Sequence, residues 1–434
     1  MRGWGRLVKR GALLLATIVL LIPALRASAA GGDLDKTFGS NGRVTTDFGK
    51  QDRADAVAMD LEGRIVAAGA SGNHLILARY TADGLPDATF GSGGSVTVGA
   101  INSATDVLIQ ADDKIVAIGT AGVIGSGVSD FAVARFDPDG IPDPTFSDDG
   151  IQTTMFNVSS DARSAALQED GKIVVVGTTS DQALSMMALA RYNVDGTLDP
   201  TFSGDGKKIT QFSRFSIASA SAVAIQPNGK IVVAGSAFVA QGRSLHNAFA
   251  LVRYLPDGPL DPLFGRGGKV RVDFGRRGSV DAWVASIAIQ DDGRVVVAGT
   301  AQRYDTPGTA DFALARVKLH GALDRTFSGD GKLRIDFKRS DDFAGGLALQ
   351  ANGKIVASGF VRLIRRTAFG TARVRTDGRR DTQFGAGDGK VLTRVGDEGG
   401  GTDCLVNAGK ILVVGAERVA LGTWDFALVR YLTR

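Results

Sequence analysis

Residues 170–206 contain the stretch that decides the fold: DGKIVVVG (170–177), ten variable residues, ALARY (188–192), and DGTLDPTF (195–202). Edited versions of this text occur seven times along the chain, at intervals of 52 to 63 residues. The phenylalanine of the last motif falls at Phe38, Phe90, Phe146, Phe202, Phe264, Phe327 and Phe384. Self-similarity at a period of this length predicts an architecture of repeated structural units.

Each copy contains four short apolar runs separated by turn residues, and no run has the spacing of an amphipathic helix. In the third copy these runs are 164–168, 172–176, 187–192 and 207–212. Asp-Gly pairs accept positive φ and therefore suit the tight turns of hairpins. Repeated four-stranded antiparallel sheets are typical of β-propeller blades. The sequence therefore predicts an all-β, seven-bladed β-propeller that occupies residues 31–434 as a single domain.

The order of the runs predicts how the ring closes. The chain begins with a run of the fourth type, at 43–48, and ends just after a run of the third type, at 426–431. We therefore expect residues 44–48 to pair antiparallel with residues 426–431 and complete the last blade. This pairing would remove an exposed strand edge, which otherwise favours aggregation.

Two of the repeated motifs carry a family resemblance. Asn228–Gly235 reads NGKIVVAG, and Leu34–Gly39 reads LDKTFG. Both resemble the delta-60 repeat family, and the resemblance extends from Asp33 onward. Copy seven departs most, with NAG at the turn (407–409) and Arg394-Val395 where other copies have Asp-Phe. The resemblance implies an exported bacterial protein and brings no catalytic residues.

The first 30 residues have the features of a signal peptide. Four basic residues at the start precede an apolar stretch at 11–25, and Ala27-Ser28-Ala29 fits a cleavage site. An uncleaved anchor is the alternative, but it needs about 20 apolar residues. The sequence therefore predicts a secreted, extracellular protein with no membrane span after the signal is removed.

Charge patterning argues against one class of partner. Without residues 1–30 the net charge falls from +4 to −1, so the composition does not favour nucleic acid. The charge is unevenly placed, with a net −10 over residues 31–263 and +9 over residues 264–434. Two interpretations of this asymmetry are open. The charges of duplicated blades can drift apart without a function, or the basic arc can bind an anionic polymer.

The residues that usually carry chemistry are sparse. The three histidines, His74, His246 and His320, lack a common spacing, and aspartates in glycine-rich turns lack the spacing of a calcium loop. Cys404 is expected at a small, buried position of a first strand, five residues before the turn glycine. The sequence predicts no catalytic motif, no metal site and no cofactor.

One charged pair recurs in the repeat. The arginine of the ALAR motif sits in an apolar strand, where it needs a partner. The aspartate of the LDxTF motif, eight residues later, is the predicted partner in a structural role. The predicted pairs are Arg79–Asp87, Arg135–Asp143, Arg191–Asp199, Arg253–Asp261, Arg316–Asp324 and Arg373–Asp381.

Function is expected where the copies differ. The loop between the second and third runs and the loop between blades vary in length, and both emerge on one face of the ring. Variable loops on a rigid scaffold commonly carry binding sites, and aromatic and arginine residues are favoured anchors. The candidates on this face are Arg276, Arg277, Trp283, Arg303, Tyr304, Arg362, Arg365, Arg366, Arg418 and Trp424. Packing of the loops against one another is the competing interpretation.

These features favour a secreted, monomeric binding or scaffolding module, with a protein or an anionic polysaccharide as its partner. The alternative is a propeller enzyme, such as a lyase, hydrolase or quinone-dependent oxidoreductase, with a site on the axis. The first strands offer mainly small and apolar residues, which weighs against catalysis. A few charged residues near their beginnings support the alternative if they surround one axial pocket: Asp55, Asp106, Asp161, Arg163 and Asp403.

Overall fold

The computed structural model describes residues 30–122, 127–181, 184–212, 217–241, 244–275, 279–303, 306, 308–338, 340–419 and 422–434. The predicted signal peptide therefore lies outside the described residues, apart from Ala30. Twenty-eight strands form seven four-stranded antiparallel sheets, and the described residues contain no helix. The described residues therefore include no helix that could span a membrane.

The first strands of the seven blades lie around the axis. They are β2 (Asp52–Met59), β6 (Ala104–Ile109), β10 (Ser159–Leu167), β14 (Ile217–Ile225), β18 (Val280–Ile289), β22 (Asp342–Leu349) and β26 (Glu398–Asn407). Each contacts the first strand of the next blade, and β26 contacts β2. The sheets therefore close into a ring, and the predicted seven-bladed propeller is confirmed.

The second and third strands carry the apolar runs of the repeat. The second strands are β3 (Ile65–Ser71), β7 (Ile115–Ala121), β11 (Ile173–Ser180), β15 (Ile231–Gln241), β19 (Val295–Arg303), β23 (Ile355–Arg362) and β27 (Lys410–Arg418). The third strands are β4 (His74–Tyr80), β8 (Asp130–Phe136), β12 (Ser185–Tyr192), β16 (Ser244–Tyr254), β20 (Asp311–Val317), β24 (Thr367–Val374) and β28 (Trp424–Leu432). Both faces of these strands are buried, which explains why their sequences are continuously apolar.

The fourth, outermost strands are short. They are β5 (Ser95–Val98), β9 (Ile151–Thr154), β13 (Lys207–Thr210), β17 (Lys269–Val272), β21 (Lys332–Ile335), β25 (Lys390–Thr393) and, for the last blade, β1 (Arg43–Thr46). Blade one is β2–β5, and the blades follow in order to blade seven, which combines β26–β28 with β1.

The N-terminal strand closes the ring as predicted. β1 pairs antiparallel with β28, with Val44 opposite Leu428 and Thr46 opposite Phe426. Phe38 and Val44 are buried in an apolar cluster that also contains side chains of blades seven and one. The two ends of the described chain are therefore held together by strand pairing and by core packing.

Every first strand contains a β-bulge at the same place in its pairing with the second strand. The residues left between paired positions are Asp55, Thr105, Arg163, Ser221, Ala285, Gly345 and Thr402. A bulge bends the strand and redirects its side chains, and bulges are frequent next to functional sites. Here they recur seven times at one end of the axis.

The bulge also corrects the placement of Cys404. In blade one Val57 lies two residues after the bulged residue, opposite Ala67, and in blade seven Cys404 has this position, opposite Val413. The turn after β26 is one residue shorter than the turn after β2 in blade one. Counting back five residues from the turn glycine therefore placed Cys404 one position too far along the strand. Cys404 is buried against blade six, and Leu405 takes the position of Ala58.

Seven buried ion pairs link the third strands to the LDxTF tails. The Nε to Oδ2 distances are 2.7–2.9 Å for Arg79–Asp87, Arg135–Asp143, Arg191–Asp199, Arg253–Asp261, Arg316–Asp324, Arg373–Asp381 and Arg430–Asp35. The last pair joins residues from the two ends of the chain. Each of the first six lies within one blade.

Blade two shows what else the arginine contacts. The Arg135 Nη1 donates a hydrogen bond to the carbonyl of Val194 in blade three, and the guanidinium lies 4.7 Å from the ring centre of Phe146. Lys114, from the turn before the second strand, contacts Asp143 at 3.1 Å. Burial would raise the pKa of Asp143, but hydrogen bonds from Thr145 and both cations hold it well below its usual range. Each such arginine therefore connects adjacent blades.

Candidate functional site

The loops that vary in length lie on one face of the ring, which we call the variable face. It carries the connections from second to third strands and from each fourth strand to the next blade. The opposite face carries the short turns after the first strands and the LDxTF tails. Of the predicted binding residues, Arg276, Arg277 and Tyr304 lie outside the described residues.

The other predicted binding residues are distributed over blades five to seven. They are Trp283 in β18, Arg303 at the end of β19, Arg362 at the end of β23, Arg365 and Arg366 in the following loop, Arg418 at the end of β27 and Trp424 at the start of β28. Trp283 is 38% exposed, and Arg365 is exposed. The structure places these residues at separate blade ends, so they do not converge on one cavity.

Several of these arginines contact acids. Arg362 lies 3.3 Å from Asp341, and Arg366 lies 3.7 Å from Asp397. Arg418 pairs with Glu398 at 2.6 Å and lies over the ring of Trp424, 5.3 Å from its centre. These exposed ion pairs reduce the local positive charge that the sequence predicted for a basic arc.

A cavity of about 660 Å³ opens on the axis of the ring, and first strands from all seven blades line it. One wall, from blades seven, one, two and three, is charged. It contains Arg53, Asp55, Asp106, Arg163 and Asp403. The opposite wall, from blades four, five and six, is built mainly from small side chains such as those of Ser219, Ser221, Ser286 and Gly345, and blade six adds Phe343 and Phe360. The axial cavity is therefore asymmetric in charge although the scaffold is a repeat.

Two Thr-Asp pairs build the charged wall in the same way. At the bulge of β6, the Thr105 hydroxyl donates to the Ala162 carbonyl at 3.0 Å, and Asp106 accepts from the Ala165 amide at 2.8 Å. Both partners belong to β10 of the next blade. At the bulge of β26, Thr402 and Asp403 make the equivalent contacts with β2, to the Ala54 carbonyl at 2.7 Å and from the Val57 amide at 3.1 Å.

Burial changes the acidity of these carboxyl groups. It raises the pKa of Asp106 to about 6, even though hydrogen bonds from backbone amides oppose the shift. Burial and then the negative charge of Asp106 raise the pKa of Asp403 to about 7. Burial also raises the pKa of Asp55, against the pull of Arg53, whose Nε lies 2.6 Å away. Near neutral pH the wall can therefore both donate and accept protons.

The sequence indicated five charged residues for an axial pocket, and four of them line the cavity: Asp55, Asp106, Arg163 and Asp403. Asp161 lies two positions before the bulge and accepts a hydrogen bond from Ser129 at 3.1 Å. The sequence reasoning missed Arg53. Its position two residues before the bulge could have identified it, but the bulge is visible only in the strand pairing.

A second cavity, of about 600 Å³, adjoins the axial cavity over blades seven and one. It shares Arg53 and Thr402 with the axial cavity, and Asp52 and Trp424 line it as well. The Trp424 amide contacts the side-chain oxygen of Gln51 at 3.3 Å. Trp424 is thus a predicted binding residue that does face a cavity, next to the charged axial wall.

Two groups of three aspartates bring carboxylate oxygens within 4.8 Å of one another: Asp47, Asp52 and Asp425, and Asp311, Asp336 and Asp342. The sequence predicted neither, because each group is assembled from three separate strand ends. His246 is buried in a different blade and lies 2.7 Å from Asp273, so it is engaged in an ion-pair network with Arg271.

Part of the chain matches a family model described as a domain of unknown function (DUF5122) that forms a β-propeller. The matched residues are 63–90, 110–146, 168–202, 226–264 and 290–327. No curated protein sequence matches the chain.

The chain is also similar in fold to solved structures. A Dyadobacter fermentans protein of unknown function is 12% identical, with a TM-score of 0.51, and the match covers 91% of this chain and 98% of that one. A polysaccharide lyase described as an ulvan lyase is 11% identical, with a TM-score of 0.54 and coverage of 90% and 96%. Virginiamycin B lyase from Staphylococcus aureus is 10% identical, with a TM-score of 0.50 and coverage of 89% and 98%.

At these identities the similarities concern the fold alone, since one propeller scaffold supports unrelated functions. The match to the family model and the seven described blades agree on the architecture. The chain is a β-propeller repeat protein.

Proposed function

We propose that this protein is an exported binding protein that takes its ligand on the variable face, in the axial cavity. The signal peptide at residues 1–30 would direct export, and the propeller would act outside the cell as a monomer. The observation that carries the proposal is the asymmetric cavity of about 660 Å³, with a charged wall opposite a wall of small residues. Concave sites with a few convergent polar groups are typical of ligand pockets.

The composition of the wall favours a polyhydroxylated ligand that bears an anionic group, as an acidic glycan does. Asp106 and Asp403 can accept hydrogen bonds from hydroxyl groups, and Arg163 is exposed within the cavity and can pair with an anion. Arg53 is already neutralised by Asp55 at 2.6 Å. The small residues of blades four to six leave room for a sugar ring against the charged wall.

A glycan array probed with residues 31–434, followed by calorimetric titration of the best ligand, tests the proposal. Arg163→Ala and Asp403→Asn should each weaken binding at least tenfold if the ligand enters the axial cavity. A triple variant at Arg362, Arg365 and Arg366 is the matched control, because it changes the exposed basic arc and leaves the cavity intact. Loss of binding in the triple variant alone would place the ligand on the arc, and no binding to any acidic glycan would refute both locations.

A second candidate function, catalysis in the axial cavity, is favoured by one specific observation. Asp106 and Asp403 have pKa values raised to about 6 and about 7, which suits general acid and base roles near neutral pH. Incubation of the mature protein with the glycans that it binds, and measurement of new reducing ends between pH 5 and 8, tests this function. Activity that Asp403→Asn abolishes, with binding retained, would support an enzyme over a binding protein.

A further inference from the structure

The group formed by Asp47, Asp52 and Asp425 lies where the N-terminal and C-terminal strands of the ring meet. Asp47 is the first residue after β1, Asp425 lies in β28, and Asp52 is the first residue of β2 in blade one. Their carboxylate oxygens lie within 4.8 Å of one another. A fourth acid, Glu417, lies opposite Asp425 in the pairing of β27 with β28. Four carboxyl groups thus gather at the junction of blades seven and one.

Two of these acids are buried with an oxygen that has no partner. Asp52 is 0% exposed, and its Oδ2 accepts a hydrogen bond from the Phe48 amide at 2.6 Å, while its Oδ1 is buried without a hydrogen-bond partner. Glu417 is 4% exposed, and its Oε2 also lacks a hydrogen-bond partner. An unpaired buried carboxylate oxygen is costly unless a cation or a proton compensates it.

The junction of blades five and six supplies an internal comparison. Asp311, Asp336 and Asp342 form the same arrangement there, and Arg334 lies 2.6 Å from Asp311. Arg334 also donates hydrogen bonds to two backbone carbonyls, so its guanidinium is held at the cluster. The acidic group at that junction therefore already contains a cation.

Strand register identifies the residue that replaces this arginine at the junction of blades seven and one. Arg334 lies opposite Ala313 in the third strand of its blade, and Thr45 lies opposite Ala427 at the same position of blade seven. In blade four this position holds Arg271, which pairs with Asp273 at 2.8 Å. Among the described residues, no lysine, arginine or histidine forms an ion pair with Asp47, Asp52 or Asp425.

We propose that Asp47, Asp52 and Asp425 bind a calcium ion that takes the place of the missing guanidinium. Calcium accepts six to eight oxygen ligands in flexible geometry, and carboxylates are preferred. Asp47 is exposed, so water can complete the coordination from its side. The ion would connect the N-terminal strand, the C-terminal strand and blade one, and would therefore lock the closure of the ring. This inference is independent of the ligand proposed above.

Thermal unfolding of the mature protein in EDTA and in CaCl₂, with calorimetric titration of CaCl₂, tests the inference. We expect one calcium ion per chain and a melting temperature higher by about 3 °C at a hundredfold excess over Kd. Asp425→Asn should abolish both the titration signal and the shift. Asp342 corresponds to Asp52 at the junction that holds Arg334. Asp342→Asn should therefore leave the titration signal and the shift in melting temperature unchanged.

A further variant separates a lost site from a lost fold. Thr45→Arg supplies the guanidinium found in blade five, so it should raise the melting temperature in EDTA and remove the response to calcium. If CaCl₂ changes neither the heat of titration nor the melting temperature of the unaltered protein, the inference is overturned. An equal shift with MgCl₂, or a calcium response that survives in Asp425→Asn, overturns it as well.

Discussion

The buried ion pair between Arg135 and Asp143 gives the sharpest test of what stabilises the ring. Its side chains are 3% and 6% exposed, and the Nε to Oδ2 distance is 2.7 Å. We consider Arg135→Ala, Asp143→Ala and the double variant. The guanidinium also reaches the Val194 carbonyl of blade three, so its removal affects contacts both within a blade and between blades.

The expected magnitudes follow from the groups that each variant leaves behind. Asp143→Ala leaves two cations, Arg135 and Lys114, without their carboxylate, which should cost about 3–5 kcal/mol of unfolding free energy. Arg135→Ala leaves Asp143 with Lys114 and removes the contact with the Phe146 ring, so its cost should be somewhat smaller, about 2–4 kcal/mol. The double variant should cost about 2 kcal/mol less than the sum, because it removes both charges of the pair and leaves only the partly exposed Lys114 without Asp143.

Urea unfolding followed by circular dichroism at pH 7 measures these values as changes in midpoint at constant m-value. The control cycle uses Arg375 and Asp377, which lie 2.9 Å apart but are both 44% exposed. Their coupling should stay below about 1 kcal/mol. Additivity at Arg135 and Asp143 within about 0.5 kcal/mol would refute the view that the two side chains act as one unit.

Three other perturbations test separate parts of the fold. Because the pKa of Asp403 is raised, its contribution to stability is present below about pH 4 and is lost as the pH rises through about 7. Asp403→Asn should therefore be more stable than the unaltered protein by about 1–3 kcal/mol at pH 8 and equally stable near pH 4. Identical pH profiles of the two proteins in thermal unfolding would contradict this. Gly84→Ala should lower the melting temperature more than Gly63→Ala, since both have positive φ but only at Gly84 would a Cβ lie 2.6 Å from the Phe38 ring; equal shifts would show that the contact is unimportant. Deletion of residues 33–49 should lower stability sharply or cause association through the bare edge of β28, and a truncated protein that stays monomeric and melts normally would disprove the closure.

The architecture was predictable because its causes are local and repeated. Turn chemistry and apolar runs define each blade within about 60 residues of sequence. The closure of the ring was predictable as well, since the copies are offset by one strand at the two ends. The structure adds the register of the pairing, with Val44 opposite Leu428. The apolar pattern of a four-residue strand is too short to specify this register.

The partners of the recurrent aspartate were only half predictable. The arginine was inferred as a partner because a charged residue in an apolar strand needs an opposite charge nearby. The lysine that precedes the second strand looks like an ordinary turn residue. Lys114, Lys172 and Lys230 nevertheless each contact the same carboxylate as the arginine of their blade, at 2.9–3.1 Å. The proximity arises from the packing of two hairpin turns on one face of the blade, and spacing within a single turn cannot reveal it.

The site could be predicted least, and the reason is physical. A repeat reveals itself through positions that stay the same, whereas the charged wall of the axial cavity arises at the bulge and within two residues of it, at positions that change from copy to copy. The bulged residue is Asp55 in blade one, Arg163 in blade three and Gly345 in blade six, so no motif marks it. The bulge itself is a constant of the scaffold, and it directs whatever residue occupies it toward the axis. Seven similar backbones thus present seven different sets of side chains to one cavity, and the chemistry of that cavity depends on the residues in which the copies differ.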